Sequence, residues 1–257
     1  MSRALIGHTG FVGSNVASQT EFDAFFNSEN FRDMTGQCFE QIVCAGVSAV
    51  KWIANKEPEK DRVGIRALEE VLATVSADRF TLISTIDVYP MFESADESYD
   101  CGSRNNHAYG MHRLAFERFC YERFSDCLIV RLPGLFGQGL KKNVIFDLLN
   151  DNCLDMINPA CSIQYYDLSG LWLDIEKASS HGVDVINLFP EPITTQAILD
   201  RFFREKEVGK TPGGEVHYDL RTRHAHLWGR SDGYIAGKVE VMDAMGRFIE
   251  SYERATS

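Results

Sequence analysis

The sequence lacks any apolar run of the roughly 20 residues needed to span a membrane, which excludes a membrane-spanning role. It also lacks a basic excess. Lys and Arg number 26 against 37 Asp and Glu, a formal net charge of -11 at pH 7. That is the reverse of the electrostatic footprint a nucleic-acid partner requires. No Cys-x-x-Cys pair occurs among the seven cysteines, whose number is odd and whose spacing is scattered. This argues against a disulfide framework and predicts reduced, mostly buried thiols in a cytoplasmic protein. A metal site is not expected either: His224 and His226 stand two apart, a poor helical ligand pair, and no third ligand pattern accompanies them. There is no internal repeat and no long disordered linker. Because an apolar strand opens at residue 3, no secretory signal is expected.

What the sequence does contain begins at that strand. Across 257 residues, a hydrophobic content of 44% is enough for one large α/β domain or one domain with a small lobe. The apolar run Ala4-Leu5-Ile6 leads into glycines at 7, 10 and 13, and Val12, Val16 and Ala17 mark the inner face of a helix. A strand, a glycine turn and a helix start make a dinucleotide site. Gly7 allows the turn, Gly10 lets a pyrophosphate approach the backbone, and Gly13 lets helix and sheet pack closely. Thr9, Phe11 and Val12 complete that turn. The spacing is Gly-x-x-Gly-x-x-Gly, not the commoner Gly-x-Gly-x-x-Gly.

A second strand is expected over 22–27, and the residues ending it would meet the adenosine ribose. Asn27 and Ser28 suit either cofactor, Glu29 suits NAD, and Arg32 can neutralise a 2′-phosphate. NAD and NADP both remain open, with a slight lean to NADP. A third strand over 39–46 ends in Ala45-Gly46, small residues that let backbone pass close to the adenine. The short stretch between Asn27 and Phe39 implies a trimmed sheet, and residues 47–55 would cross the cofactor's edge. A helix is expected over 61–75, with Val63, Ala67, Leu68, Val71, Leu72 and Val75 on one side.

The strand at 80–83 ends in Ser84-Thr85, hydroxyls at the carboxyl end of a strand, where ligands bind in open α/β folds. After a polar loop, Tyr109 and Arg113 share one face of a helix. A buried strand over 127–132 leads into Pro133, Gly134 and Leu135. Lys141, Lys142 and Asn143 open a helix to about 150, and Lys142, Asn143 and Arg223 are the candidate substrate contacts. A short strand over 163–168 and a helix over 171–180 follow. A strand at 183–189 rejoins the sheet, Thr194 or Thr195 caps a helix to 203, and a closing helix covers 239–249. The expected division is a dinucleotide-binding domain over 1–135, completed by 182–190, with a substrate lobe from 136–181 and 191–257.

Thr9-Gly10-Phe11-Val12-Gly13, Ser84-Thr85-Ile86-Asp87-Val88-Tyr89, Tyr109-Gly110-Met111-His112-Arg113 and Leu132-Pro133-Gly134-Leu135-Phe136-Gly137 form a set. Together they resemble the extended, atypical branch of the short-chain dehydrogenase/reductase family, which includes sugar-nucleotide epimerases, dehydratases and reductases. The resemblance runs through most of the chain and is strongest before residue 145. It implies a Rossmann-type, doubly wound parallel sheet with a small C-terminal substrate lobe. It implies NAD or NADP as cofactor and a nucleotide-linked sugar or similar small molecule as substrate. Thr85 would hydrogen-bond the substrate oxygen, and Tyr109 would act as general acid or base. Ser84, Ala45, Gly46, Pro133 and Leu135 would border the cofactor, and Asn143 would contact the nucleotide part of the substrate.

Two departures stand out. Relatives carry lysine where this chain has Arg113; that lysine holds the nicotinamide ribose and lowers the tyrosine pKa. A tyrosine acting as base near pH 7 needs roughly 4 kcal/mol of electrostatic help, of which arginine supplies a part, with a bulkier fork that does not readily relay a proton. By approximate register, Gly64 replaces an asparagine common in relatives. The leading expectation is an NAD(P)-dependent oxidoreductase or epimerase; the alternative is a catalytically weak or inactive dinucleotide-binding sensor or scaffold. The resemblance also implies a homodimer through the helices at 61–75 and 109–124, with Phe116, Phe119 and Tyr121 on their outer face.

Overall fold

The computed structural model describes residues 2–256. In chain order it forms β1 (Arg3–Ile6), α1 (Phe11–Ala17), β2 (Ala24–Phe26), β3 (Cys38–Cys44), α2 (Lys51–Lys56), α3 (Pro58–Leu72), β4 (Ser76–Thr85), α4 (Ala108–Arg123) and β5 (Cys127–Leu132). There follow β6 (Gly134–Phe136), α5 (Val144–Leu149), β7 (Ser162–Ile163), β8 (Tyr165–Asp167), α6 (Leu171–Ser180), β9 (Val185–Asn187), β10 (Ile193–Thr194), α7 (Thr195–Phe202) and α8 (Lys238–Thr256). Six strands make one parallel sheet in the order β2-β1-β3-β4-β5-β9. This is the doubly wound Rossmann-type arrangement expected from the sequence. Between β2 and β3 lies only a 3-10 turn over Phe31–Met34, whose Met34 is fully buried. Among the described residues no helix is long and apolar enough to cross a membrane.

The chain divides into two compact units. One comprises Met1–Pro90, Tyr99–Leu132 and Ser169–Asn187; the other comprises Met91–Ser98, Pro133–Leu168 and Leu188–Ser257. The first holds the parallel sheet. Every residue of β5 is buried, as a strand covered on both faces requires. The core on one face joins Ile42, Phe80 and Leu82 of the sheet to Leu68, Leu72, Phe116 and Cys120 of the helices, and Phe80 stacks on Phe124 with ring centroids 4.1 Å apart. Pro58 opens α3, where its missing amide costs nothing. Its inner face is Ile65, Leu68, Val71 and Leu72, whereas Val63, expected inside, is 62% exposed. Four cysteines (44, 101, 120 and 127) are buried, Cys161 is half-buried, and Cys38 and Cys153 are exposed.

The second unit contains two small two-stranded sheets, β10-β7 and β6-β8. Gln164 is fully buried and ties three of its segments: its amide donates to the carbonyls of Pro190 (2.7 Å) and Leu220 (2.8 Å) and accepts from the Leu220 amide (2.9 Å). Thr194, not Thr195, caps α7, its hydroxyl accepting from the Ala197 amide at 3.2 Å.

Candidate functional site

β1 delivers the chain into a turn that only glycine permits. Gly7 has φ +85, and its amide donates to the Phe26 carbonyl of the neighbouring strand at 2.7 Å. A Cβ on Gly7 would lie 2.4 Å from the Ala45 carbonyl oxygen, and one on Gly13 would lie 2.1 Å from the Gly7 carbonyl oxygen. The turn, the start of α1 and the end of β3 are thus packed backbone to backbone. Gly10 forms the N-cap of α1 with no side-chain cap bond. Thr9 and Gly10 are exposed, Phe11 and Val12 half-buried. Ala45 is held alongside by its amide donating to Ile6 at 2.9 Å, and exposed Gly46 follows it.

At the end of β2 the chain closes on itself. Asn27 Oδ1 accepts from the Glu29 amide (2.8 Å), and the Asn27 amide donates to Asn30 Oδ1 (2.7 Å). Asn30, overlooked in the sequence, holds this turn by also donating to the Phe25 carbonyl at 3.0 Å. The Asn27 side-chain oxygen is therefore engaged locally. Ser28, Glu29 and Arg32 are exposed, and the Arg32 guanidinium lies 5.1 Å from the centre of the Phe31 ring.

The carboxyl end of β4 and the first turn of α4 bring Thr85 and Tyr109 together, near enough for the Thr85 side chain to favour ionisation of the tyrosine. Thr85 Oγ1 also accepts from the Asp87 amide at 3.2 Å. His107 caps α4, its Nδ1 accepting from the Gly110 amide at 3.0 Å, and the Tyr109 amide donates to Asn55 Oδ1 of α2 at 2.9 Å. Asp87 is bound by Lys51 Nζ at 2.6 Å and approached by His107 Nε2 at 3.8 Å. Burial works against charge on Asp87, but His107 and Lys51 outweigh it and hold the carboxyl below its usual range. Tyr109 is pushed upward by burial, reinforced by Asp87 and Asp61, while Arg113 and the Thr85 side chain act in the other direction.

Arg113 is where the structure departs most from expectation. Its guanidinium carbon lies over the Tyr109 ring, 3.8 Å from the centroid, and the residue is 5% exposed. Nη1 and Nη2 fork onto Asp61 at 2.5 and 2.8 Å, and Nη2 also donates to the Ser48 carbonyl at 2.5 Å. His112 Nδ1 joins Asp61 at 2.8 Å. Arg113 Nε is buried and without a partner among the described residues. The fork that resemblance assigns to the cofactor is thus spent on protein oxygens. Asp61 is the α3 residue that faces this site. Gly64, one turn on, is exposed with nothing near its missing Cβ, so the expected loss of a polar group there is corrected.

Ser84 does not join Thr85, because successive strand residues face opposite sides. Its hydroxyl donates to Glu117 Oε1 at 2.5 Å, in a buried cluster with Arg131. Phe116 is likewise not an outer residue of α4: it is 1% exposed, Phe119 is half-buried against the core, and only Tyr121 of the three is exposed. The exposed apolar side chains of α2, α3 and α4 are instead Trp52, Val63, Met111 and Tyr121.

The other expected contacts lie in the second unit. Pro133 is buried and Leu135 half-buried, paired with Tyr166 across β6-β8. Asn143, at φ 113, caps α5 by accepting from the Phe146 amide (3.1 Å) and donates to the Leu135 carbonyl (2.8 Å). Lys142 is exposed, and so is Arg223, whose amide donates to Glu97 Oε2 at 2.9 Å. Among the described residues no three or more His, Cys, Asp or Glu side chains are grouped to hold a metal.

No protein-family model matches the chain, and no curated protein matches it significantly. Solved structures do. A UDP-glucose 4-epimerase from Thermotoga maritima with UDP-glucose is 15% identical, with each chain covered completely and a TM-score of 0.73. MoeE5 in complex with UDP-glucuronic acid and NAD is 12% identical over 99% of this chain and 100% of that one, with a TM-score of 0.74. A dTDP-4-dehydrorhamnose reductase from Bacillus anthracis in complex with NADP is 16% identical over 97% and 98%, with a TM-score of 0.71. At these identities the likeness establishes the fold: the chain has the architecture shared by these sugar-nucleotide epimerases and reductases along its whole length.

Proposed function

We propose that the protein is an NAD(P)-dependent oxidoreductase or epimerase acting on a sugar nucleotide or a similarly polar carbonyl or alcohol. The observation that carries this reading is Thr85 at the end of β4 brought together with Tyr109 at the start of α4, in the unit whose sheet also bears the glycine turn. The turn suits a dinucleotide, since its backbone is uncapped by any side chain and would tolerate none at Gly7 or Gly13. Gly7, Thr9–Gly13, Ala45 and Gly46 would hold the cofactor, which supplies hydride exchange when bound. Thr85 orients the reacting oxygen, and Tyr109 passes it a proton or takes one from it. Lys142, Asn143, Arg223, Pro133 and Leu135 are proposed contacts from the second unit. Incubation with a sugar-nucleotide panel, followed by nicotinamide absorbance and product isomer analysis, tests this reading. Saturable cofactor binding without turnover across the panel would favour a non-catalytic dinucleotide sensor, a role supported by the commitment of Arg113 to Asp61.

For cofactor choice, the exposed Ser28 and Arg32 support a slight preference for NADP, because a 2′-phosphate seeks a cation and hydroxyl donors. Both dissociation constants measured at one ionic strength are expected to lie within tenfold of each other, with NADP(H) the tighter. Arg32→Ala should weaken NADP(H) more than NAD(H), and equal losses would show that Arg32 does not read the phosphate. A homodimer is proposed through α3 and α4, whose exposed Val63, Met111 and Tyr121 form its apolar contribution. Light scattering should then give twice the 29.0 kDa of one chain; a concentration-independent single-chain mass would rule the dimer out.

A further inference from the structure

Arg113 is enclosed, and its two terminal nitrogens already serve Asp61 and Ser48. A buried, doubly anchored guanidinium is poorly placed to reach a ligand or to exchange protons with water. A different cation, from outside the tyrosine helix, is linked to Thr85 through Asp87. Lys51, the first residue of α2, has a side chain 40% exposed, and its ammonium is 2.6 Å from Asp87 Oδ1. Asp87 is tied by its own amide to Thr85 Oγ1. Asn55, four residues further along α2, accepts the Tyr109 amide, so the helix presenting Lys51 is fastened to the catalytic turn. Resting on the functional reading above, we propose that Lys51 is the ligand-contacting cation of this site: Asp87 holds its ammonium in place, and a sugar hydroxyl of the bound ligand takes one of its hydrogen bonds. The sugar is either the ribose of the dinucleotide or the glycosyl part of the substrate.

The ammonium suits this role because it has three donors on a flexible stem and Asp87 uses one of them. The charged groups acting on Tyr109 are Arg113 from α4, Asp87 from the strand end and Asp61 from α3; Lys51 and His107 face Asp87, and His112 and Arg113 face Asp61. Removing the Lys51 charge leaves Asp87 less compensated, which disfavours the phenolate further.

The test has a ligand-free arm and a ligand arm. Ultraviolet difference titration against Tyr109→Phe isolates the Tyr109 phenolate in the unliganded protein. Lys51→Met is expected to move it upward by about half a unit or more. Lys51→Arg should restore most of the wild-type position, and Lys56→Met, a charge loss at the far end of α2, should leave it unmoved. No movement in Lys51→Met overturns the proposal. In the ligand arm, NAD(H) or NADP(H) bound at least fivefold more weakly by Lys51→Met identifies the ribose. Unchanged cofactor binding with KM raised at least tenfold identifies the substrate sugar. If Lys51→Met alters neither cofactor binding nor KM, the ligand contact is overturned. If the wild type binds no dinucleotide and turns over no substrate, the functional reading fails, and the titration alone decides whether Lys51 acts on Tyr109.

Discussion

Glu117→Ala is expected to lower stability by about 3–5 kcal/mol, the usual consequence of leaving a buried charge without its partner. The Glu117 and Arg131 side chains are 3% and 7% exposed, with Arg131 Nη2 2.6 Å from Glu117 Oε2 and Nε 3.1 Å from Oε1. Ser84 donates to the same carboxylate, Arg131 Nη1 donates to the Tyr89 hydroxyl at 3.0 Å, and Asn187 donates to that hydroxyl at 2.8 Å. The cluster joins α4 to β4, β5 and β9, so the truncation strips compensation from several buried groups at once. For a chain of this size the loss corresponds to a fall in Tm on the order of 10 °C. Thermal and urea denaturation of the variant measure it. The double variant Glu117→Leu/Arg131→Met should be less damaging than the sum of the single ones, since it removes both charges together. A loss under about 1 kcal/mol for Glu117→Ala would mean that water reaches the pair in solution.

Tyr109→Phe is expected to cut turnover by about 10²–10⁴-fold, the range of a positioned acid–base group, while leaving cofactor affinity and Tm nearly unchanged. Phenylalanine keeps the ring under the Arg113 guanidinium and removes the hydroxyl that meets Thr85. The direction of the tyrosine shift adds a pH signature. Burial raises Tyr109 above its ordinary value of 10.0, so the hydroxyl form persists through neutral pH and is lost only as pH rises through the raised value. Under the proposed role, carbonyl reduction would draw its proton from Tyr109 and should be flat across neutral pH. Alcohol oxidation would use the phenolate and should climb with pH throughout that range. Equal pH profiles for the two directions, or full activity in Tyr109→Phe, would remove the tyrosine from the chemistry.

Elements whose own pattern is complete were legible in the sequence. Cys127–Leu132 and Leu171–Ser180 fold over the residues expected, the first as a run apolar at all but Arg131 and the second with apolar residues at helical spacing. The glycine turn was legible because Gly7 and Gly13 answer local steric demands. The strand at 22–27 shrank to Ala24–Phe26 because Asn27 and Asn30 close a turn at its end, and element boundaries are the least readable feature of a chain. The site was legible in its residue types and not in its pairings. Tyr109 and Arg113 share a helical face as read, but Asp61, which takes up the arginine, lies 52 residues earlier in sequence, and no local period reports such a partner. Lys51 and Asp87 escaped notice for the same reason, 36 residues apart. Phe116 was misread because α4 packs on more than one side, so it has no clean outer face.

The sixth strand has a bearing on how the chain is made. β9 supplies the outer neighbour of β5, yet it is encoded more than 50 residues after it, beyond all of residues 133–168. During synthesis β5 therefore leaves the ribosome with one edge unpaired, and that strand, Cys-Leu-Ile-Val-Arg-Leu, is apolar at all but one position. At 5–20 residues per second, the interval before residues 185–187 arrive lasts several seconds. In that interval the nascent sheet carries the kind of open edge on which neighbouring chains assemble. The single charge in that strand, Arg131, is the residue that Glu117 later takes into the interior. A charge on an open strand disfavours edge-to-edge association, and in the finished fold the same residue is an internal tie.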